Sequence, residues 1–396
     1  MTAPLTRLPT RLLGRLPVGW LQLIHNRTRL VAAVGGVTFA NVLIFMQLGF
    51  MNALFESSVL THRAFEADVV LTSSDFRTFR EATPLPRARL HQALGVPGVA
   101  DATPVYVATI IWPDPTSNDT TNFRVIGVDP TADVFASPEL QEQVPRLREA
   151  DTALVDTRTR DFRVELAESI LAGARPWIET AGRRLALVGT FGQGASFDVD
   201  GSLIVSDQTF FRLFPMREAG TPSFVLVDSE PGIDASVVAR TVEHRFTESD
   251  TRAFTLDGFV AAEQAYQARQ SPIGFVFGFG VTMGLVVGLV IVYQVLATDV
   301  ADHLSEYATF KAIGHGPRYF LAIIFEEAVS LAAIGFLPAF GIALALYELA
   351  SKATALPIEM PLGRPLFVFT LTVGMCVASG AIATRRLNAA DPADLF

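Results

Sequence analysis

The stretch YQVLATDVADHLSEYATFKAIGHGPRYF, from Tyr293 to Phe320, joins two long apolar runs through a short charged segment. Acidic residues come first and basic residues follow, and Gly-His-Gly-Pro ends the segment just before the second apolar run. A segment this short cannot form a domain. It therefore predicts a connection between two membrane helices that leaves the membrane and re-enters it almost at once.

Long runs with few or no charged residues occur at four places in the chain. Half of the 396 residues (50%) are hydrophobic, which is high for a soluble protein. Each run is long enough for a helix that crosses a bilayer core, which needs about 20 residues. The predicted spans are 30–55, 271–298, 319–347 and 365–384.

Arginine is concentrated at the two ends of the chain. The segment 1–29 has five arginines and no acidic residue, and the tail 385–396 begins with Arg385 and Arg386. Because positively charged flanks stay in the cytoplasm, both ends are predicted to be cytoplasmic and the first span to be an uncleaved anchor. Apolar residues at 20–24 favour a juxtamembrane amphipathic helix, with a merely basic flank as the alternative.

The region 56–270, between the first two spans, is then predicted to lie outside the cytoplasm. It contains 20 arginines and 31 acidic residues, so it has no basic footprint for nucleic acid. The single cysteine, Cys376, lies in the fourth span, so this domain is predicted to fold without a disulfide. The loop 348–364 on the same side is too short to form a domain.

Strand-like and helix-like sequences alternate in the region 56–270. Runs rich in Val, Ile, Thr and aromatic residues predict strands, and Ser206-Asp207 is a capping signal for one helix. The predicted fold is therefore four transmembrane α-helices with a large α+β periplasmic domain inserted between helices 1 and 2. A division of this domain into two lobes stays open, since 112–122 has the composition of a loop. Strands are predicted at 67–72, 105–112, 123–128, 184–191, 202–206 and 223–228, and helices at 86–95, 206–214, 234–246 and 257–270.

Glycines recur at intervals of four in the second span. Small residues at this spacing let another helix approach closely. The partner is either another span of the same chain or a second copy of the chain, and the homodimer is the favoured interpretation. The glycines are Gly274, Gly278, Gly280, Gly284 and Gly288.

The sequence has no recognised signature of catalysis. The only lysines, Lys311 and Lys352, do not follow a glycine, so a phosphate-binding GxxxxGK[ST] loop is missing. There is no HExxH, and His62, like His303 with Glu306 nearby, lacks the partners of a zinc site. The surroundings of Ser196 lack the second glycine of a nucleophile elbow. We therefore expect no enzyme activity, metal or cofactor in this chain.

Two acidic residues interrupt the third span. Glu326 and Glu327 lie roughly two helical turns into it. Acids at this depth are costly and suggest a proton or ion path. Packing against another helix, or a position near the headgroups, is the structural alternative and is favoured.

The segment 299–318 has the pattern of an amphipathic helix. Apolar side chains recur at helical spacing through Leu304 and Tyr307, and Ile313 ends the run. Gly314 suits the C-terminal cap of this helix, and the proline that follows suits the start of the next. The pattern predicts a docking helix on the cytoplasmic face, with a solvated connector as the alternative.

Several stretches together carry a resemblance to a known family. They are HLSEYATFKAIGHGPRYF (303–320), the sequence 20–58 around the first span, FRVIGVDP (123–130) with FGQGASFDVDGSLIVSD (191–207), and ATRRLNAADPADLF (383–396). In these stretches and in the order of its spans, the chain resembles the FtsX/MacB-type permeases of ABC transporters, and it is most similar to the DevC subgroup. The resemblance covers nearly the whole chain.

The resemblance implies a permease subunit that has no ATPase domain of its own, unlike MacB. Its implied partners are a separate ABC ATPase subunit, which would bind ATP and Mg²⁺, a second copy of the chain, a periplasmic adaptor (membrane fusion protein), a TolC-like outer-membrane channel and membrane lipid. In this family the cytoplasmic helix after the second span couples to the ATPase. The implied coupling residues are Asp302, His303, Leu304, Glu306, Tyr307, Phe310, Lys311, Ile313 and Gly314.

The predicted function is that of an inner-membrane ABC exporter permease that transmits ATP hydrolysis to an efflux assembly, with a lipid-like or amphiphilic cargo. One alternative keeps this mechanism and changes the task to lipoprotein release or to control of cell-wall hydrolases. The other, of a different class, is a membrane receptor with a periplasmic ligand-binding domain.

Overall fold

Long apolar helices and one mixed β-sheet make up two compact units of the chain. The computed structural model describes residues 27–79, 83–113, 120–218, 220–246, 250–302 and 317–389, together with Leu21, His25 and Ile313. We call Met1–Met51, Val276–Leu349 and Ile358–Phe396 the helical unit, and Asn52–Phe275 with Ala350–Pro357 the α/β unit.

The elements of the described residues are numbered in chain order. The helices are α1 (Arg27–Ser58), α2 (Arg87–Leu94), α3 (Pro138–Gln141), α4 (Val164–Leu171), α5 (Asp207–Leu213), α6 (Ala235–Arg245), α7 (Leu256–Arg269), α8 (Pro272–Asp302), α9 (Pro317–Thr354) and α10 (Gly363–Ala389). The strands are β1 (Val69–Ser73), β2 (Val99–Pro113), β3 (Thr120–Val128), β4 (Thr152–Asp156), β5 (Trp177–Thr180), β6 (Arg183–Phe191), β7 (Gly201–Ser206), β8 (Phe224–Ser229) and β9 (Thr251–Thr255). Short 3-10 helices lie at His62–Ala64 and Val144–Arg148.

Four of these helices are long and apolar enough to cross a membrane. The apolar parts are Arg27–Ser58 of α1, Pro272–Thr298 of α8, Ala322–Thr354 of α9 and Gly363–Ala383 of α10. The prediction of four apolar helices is therefore confirmed. Within the helical unit they share one core, in which Val37, Val292, Leu331 and Cys376 are completely buried.

The sheet of the α/β unit has nine strands among the described residues, in the order β5-β6-β4-β7-β3-β2-β8-β1-β9. The long strand β2 joins its two halves, because residues 99–105 pair with β8 and residues 106–113 pair with β3. Most neighbours are antiparallel, but β3 with β7 and β4 with β6 are parallel. The predicted α+β domain is thus confirmed as a mixed sheet with helices. Of the predicted loop 112–122, residues 112–113 belong to β2 and residues 120–122 belong to β3, and these two strands pair as a hairpin. The division into two lobes stays a prediction.

Helices cover this sheet where its strands are continuously apolar. Val238 and Val242 of α6 pack with Ala93 of α2 against β1 and β8. Phe210 and Leu213 of α5 pack against the other half of the sheet. A Val, Leu or Phe side chain stabilises the fold by about 1.5–3 kcal/mol when it is fully buried. A third, aromatic core lies beside α7, around Phe65, Phe79, Phe135, Phe224 and Phe259.

Candidate functional site

The predicted coupling helix lies mostly outside the described residues. Helix α8 ends at Asp302, α9 begins at Pro317, and Ile313 between them is 70% exposed. The coupling role of this segment stays a prediction. The predicted residues outside the described part are His303, Leu304, Glu306, Tyr307, Phe310, Lys311 and Gly314. The predicted amphipathic helix before α1 lies largely outside it as well.

An ion pair joins the first turn of α1 to the last turn of α8. Arg29 Nη1 lies 3.1 Å from Asp302 Oδ2, and Arg29 Nη2 donates to the Val295 carbonyl at 3.4 Å. The Asp302 side chain is 62% exposed, and exposed pairs contribute about 0–1 kcal/mol. The pair therefore orients the end of α8, immediately before the predicted coupling segment, more than it stabilises the fold.

Three of the five predicted packing glycines lie against helices of the same chain. A methyl group built on Gly280 would overlap the Gln47 side chain, and one built on Gly284 would lie 3.0 Å from Ile44 Cγ1. A methyl group on Gly288 would overlap Met375 of α10. Of the two alternatives, this arrangement favours packing within one chain for these glycines.

The other two glycines differ from these three. Gly278 has no atom within 4 Å of its built methyl position. Gly274 belongs to the α/β unit, where a methyl group would overlap the Gln267 carbonyl. The homodimer stays a prediction, and a second copy that used the face of Gly280, Gly284 and Gly288 would have to displace α1.

Polar side chains are buried between the membrane helices. Thr372 Oγ1 lies 2.7 Å from Asn41 Oδ1, and both side chains are almost completely buried. Ser379 of α10 donates to the Leu289 carbonyl of α8 at 2.9 Å. Without water to compete, such bonds between helices contribute about 0.6–2 kcal/mol each. They hold α10 against α1 and α8.

The two acidic residues of the third span are buried in the helical unit. Glu326 is 8% exposed and Glu327 is 1% exposed. Both side chains therefore contact neighbouring protein atoms, as is expected if they pack against another helix. A proton path through either residue stays a prediction.

A polar cluster joins α1, α9 and the start of α10. The Tyr347 hydroxyl donates to the Phe45 carbonyl, and Arg364 Nη1 lies 3.2 Å from that hydroxyl. The same Arg364 nitrogen donates to the Glu359 carbonyl at 2.7 Å. Gly49 is needed here, because a methyl group at this position would lie 2.6 Å from the Tyr347 ring.

In the α/β unit, the loop after β6 is anchored by the buried Asp156. Asp156 accepts backbone hydrogen bonds from Gln193 at 3.0 Å and from Gly194 at 2.8 Å. Burial raises the pKa of Asp156, although these bonds oppose the shift. Gln193 Nε2 in turn donates to Thr61 Oγ1 at 2.6 Å. The loop, part of the FGQGASFDVDG stretch of the sequence, is thereby tied to the segment that follows α1.

Arg124 of β3 lies at the centre of a second set of contacts. Its guanidinium pairs with Asp198, donates to Thr61 Oγ1 at 2.9 Å and lies 5.4 Å from the Phe79 ring centroid. Burial would raise the pKa of Asp198, but Arg124 and the Ser196 hydroxyl lower it on balance. Asp198 is therefore ionised and neutralises the buried arginine.

His62 and Glu263 form a buried pair beside Arg124. His62 Nε2 lies 3.6 Å from Glu263 Oε2, and the two side chains are 0% and 3% exposed. Burial raises the pKa of Glu263 to about 7. Burial and Arg124 lower the pKa of His62 well below 6.5, and the Ser58 backbone offsets part of that shift.

Among the described residues, two of the cavities open into the α/β unit. One of about 250 Å³ is lined by Glu263, Arg124, Asp198 and Tyr266, with residues of the last turn of α1 and the first turn of α8. The other, of about 410 Å³, lies beside Trp112 and is lined by the ion pair Arg160–Asp200. Arg160 Nε also donates to the Thr354 carbonyl at 3.0 Å. Among the described residues, no cluster of three His, Cys, Asp or Glu side chains could hold a metal ion.

Sequence reasoning missed the pair of His62 and Glu263. The sequence around His62 suggests at most a metal ligand, and Glu263 lies in a helical sequence without a distinguishing pattern. The two residues are far apart in the chain, so no local signal relates them. A glutamate within an otherwise apolar helix face, near Phe259, is the one available hint.

A comparison with family models matches the C-terminal part of the chain. Residues 278–392 match the family model described as FtsX-like permease C-terminal. This range contains most of α8, the predicted coupling segment, α9 and α10. The resemblance to FtsX-type permeases is therefore confirmed for this part of the chain, and the DevC subgroup stays a prediction. The matched range contains most of three of the four helices that are long and apolar enough to cross a membrane.

Many solved chains are similar to part of this chain, and two of them serve as examples. One is the periplasmic region of MacB from Actinobacillus actinomycetemcomitans, with 11% identity and a TM-score of 0.33, over 50% of this chain and 92% of that one. The other is the extracellular domain of the noncanonical ABC-type transporter YknZ from Gram-positive bacteria, with 13% identity and a TM-score of 0.31, over 48% of this chain and 99% of that one. No curated protein matches the chain.

Proposed function

We propose that this chain is the membrane subunit of a DevC-type ABC exporter and that it transmits ATP hydrolysis to the α/β unit. The observation that supports this most directly is that the boundaries between the two units fall inside α1, α8 and α9. An α-helix is hydrogen-bonded along its whole length, so a displacement at one end reaches the other. Helices that are shared by both units suit mechanical transmission.

In this proposal the segment between α8 and α9 receives the force from a separate ATPase subunit, which binds ATP and Mg²⁺. It is part of the range that matches the FtsX-like family model. Arg29 and Asp302 hold α1 and α8 together at the start of this segment. A push on the segment would therefore be passed to two helices at once.

The proposed orientation places both termini in the cytoplasm and the α/β unit in the periplasm. Its support is the arginines that flank the apolar parts of these helices, among them Arg27 and Arg29 in the first turn of α1 and Arg385 and Arg386 near the end of α10. The protein would reside in the bacterial inner membrane.

A homodimer is part of the proposal. The two copies would contact each other through an exposed face of α8 and not through the face that carries the glycines. An apolar stripe on this helix is between 44% and 60% exposed. Its spacing of three and four residues places the side chains on one face, and these side chains stay exposed although the adjacent glycines pack against α1. The stripe consists of Val276, Phe279, Met283, Val286 and Val290.

The proposed task is efflux of a lipid-like or amphiphilic substrate through a periplasmic adaptor and an outer-membrane channel. Its support is the resemblance to DevC in sequence. Lipoprotein release or control of cell-wall hydrolases would use the same mechanical transmission. The proteins that bind the α/β unit would distinguish these tasks from efflux.

The experiment that tests the proposal is purification of the tagged full-length protein in mild detergent, with identification of bound proteins and an ATPase assay. We expect a stoichiometric ATPase subunit with the wild type and none with Tyr307→Asp. Met216→Asp is the matched control, because Met216 is 97% exposed in the α/β unit and should retain the ATPase. An ATPase that binds both variants equally would refute the role of Tyr307. If the wild type binds none, the receptor hypothesis replaces the exporter.

A further inference from the structure

A buried histidine and a buried glutamate meet at the point where the chain enters and leaves the α/β unit. His62 follows the last turn of α1, and Glu263 lies in α7, which leads directly into α8. The Ser58 backbone is a polar neighbour of the His62 ring, but neither ring nitrogen reaches full hydrogen-bond geometry. Of the two Glu263 carboxyl oxygens, Oε1 accepts from Gln267 and Oε2 has no hydrogen-bond partner. Buried polar groups of this kind are costly unless they are paired. One proton between them would satisfy both.

We propose that His62 and Glu263 form a proton-binding site, in which a single proton on the Glu263 carboxyl is directed at Nε2 of His62 and fixes the segment after α1 to α7. Loss of this proton leaves a carboxylate in the site and loosens the contact. The separation of 3.6 Å between Nε2 and Oε2 requires only a small closure to reach the length of a hydrogen bond.

The surroundings assign the proton to the glutamate. Burial raises the pKa of Glu263 to about 7, whereas burial and Arg124 lower the pKa of His62. Below neutral pH the folded protein therefore contains a neutral carboxyl group and a neutral imidazole. With the ring proton on Nδ1, Nε2 is free to accept the carboxyl proton.

The charged groups around the pair do not neutralise the negative charge of an ionised Glu263. Arg124 of β3 is the nearest cation on a neighbouring element, but it already pairs with Asp198 of the loop after β6. Arg63, beside His62, pairs with Glu56 at 2.6 Å. From α7 itself, Gln267 donates to the other carboxyl oxygen of Glu263 at 3.1 Å. An ionised Glu263 thus retains hydrogen bonds from Gln267 and the Phe79 backbone. It also retains one cation, Arg124, that is shared with Asp198.

Aromatic rings make the site still less suitable for charge. The Phe79 and Phe259 ring centroids lie 4.2 Å and 4.5 Å from that of His62. Deprotonation would therefore draw Glu263 away from the rings and towards water. The cavity of about 250 Å³ that Glu263 lines is large enough for several water molecules, and it provides the route by which the proton leaves.

The test is an infrared titration of the full-length protein in detergent, in which a protonated carboxyl group has its own C=O band. We expect a band below neutral pH that disappears as the pH rises through about 7. Glu263→Gln should abolish it, and the control Glu168→Gln, at an exposed glutamate of α4, should retain it. His62→Phe should retain the band at a shifted frequency, because the acceptor of the carboxyl proton is gone.

Hydrogen exchange of α7 gives the second readout on the same samples. After correction for the intrinsic effect of pH, exchange in the wild type should increase several-fold above neutral pH, and in Glu263→Gln it should not change. A wild type without the band below neutral pH, a band that persists in Glu263→Gln, or exchange of α7 that is independent of pH would each overturn the proposal. These measurements need no ATPase or substrate, so the outcome is independent of the proposed transport function.

Discussion

Single replacements of His62 and Glu263 should give pH profiles of stability with opposite slopes. The reason is that burial shifts the two pKa values in opposite directions, upwards for Glu263 and downwards for His62. Each variant leaves one group of the pair to titrate alone. His62→Phe keeps an aromatic ring between Phe79 and Phe259, and Glu263→Gln keeps the shape of the protonated carboxyl group.

In His62→Phe the remaining group is Glu263, whose pKa is raised from 4.5 to about 7 in the folded protein. Its stabilising effect is complete below pH 4.5, where the folded and unfolded chains both carry the proton. It is lost as the pH rises through about 7, because folding must then take up a proton. The free energy of unfolding should fall by about 1.4 kcal/mol per pH unit, or roughly 3 kcal/mol across the window from 4.5 to about 7.

In Glu263→Gln the remaining group is His62, whose folded pKa lies below 6.5. Its stabilising effect is complete above pH 6.5 and is lost as the pH falls towards the folded pKa. In the wild type, between 4.5 and 6.5, the pair holds one proton in both states, on Glu263 when folded and on His62 when unfolded. The wild-type contribution of the pair is therefore nearly flat in this window.

The assay is urea unfolding of the full-length protein in detergent, followed by tryptophan fluorescence. Trp112 and Trp177 report on the α/β unit, and Trp20→Phe removes the third of the three tryptophans. The double variant of His62 and Glu263 is the control and should have the flat profile of the wild type. Two single variants whose profiles run parallel to the wild type would refute the reasoning, since no proton would then be linked to folding at either residue.

Two further predictions concern the helical unit. Gly284→Leu should lower its thermal stability by about 1–3 kcal/mol, because even a methyl group would lie 3.0 Å from Ile44 Cγ1. Gly278→Leu is the control, since its position is open, and equal melting temperatures for both variants would contradict the packing. Tyr347→Phe should cost about 1 kcal/mol through loss of the bond to the Phe45 carbonyl, measured by denaturation in detergent, and an unchanged midpoint would count against that bond.

The membrane helices could be predicted because their signal is local. A run of about 20 apolar residues has few folded alternatives in water or lipid, so composition alone locates it. Their ends depend on contacts that composition does not reveal. Helix α9 continues to Thr354, beyond the predicted end of the third span, and there the Thr354 carbonyl accepts from Arg160. That partner belongs to another part of the sequence.

In the α/β unit, the predicted strands are those with apolar or β-branched runs, such as β3 and β7. The structure adds β4, β5 and β9, which local sequence did not predict. β4 has only five residues and lies between β6 and β7, so pairing on both sides defines it. β5 and β9 are edge strands whose residues are partly exposed, and edge strands have a weak hydrophobic pattern. By contrast, the predicted cap was found, since Ser206 Oγ accepts from the Thr209 backbone.

The pairing of the first and last strands of the sheet explains why sequence alone could not relate His62 to Glu263. β1, the first strand after His62, pairs along its whole length with β9, the last strand before α7. This pairing brings the segment that enters the α/β unit beside the segment that leaves it, whatever lies between them in the chain. A histidine on one and a glutamate on the other then share a site. Because α1 ends just before the first of these segments and α8 begins just after the second, a change of one charge here acts close to the ends of two long apolar helices.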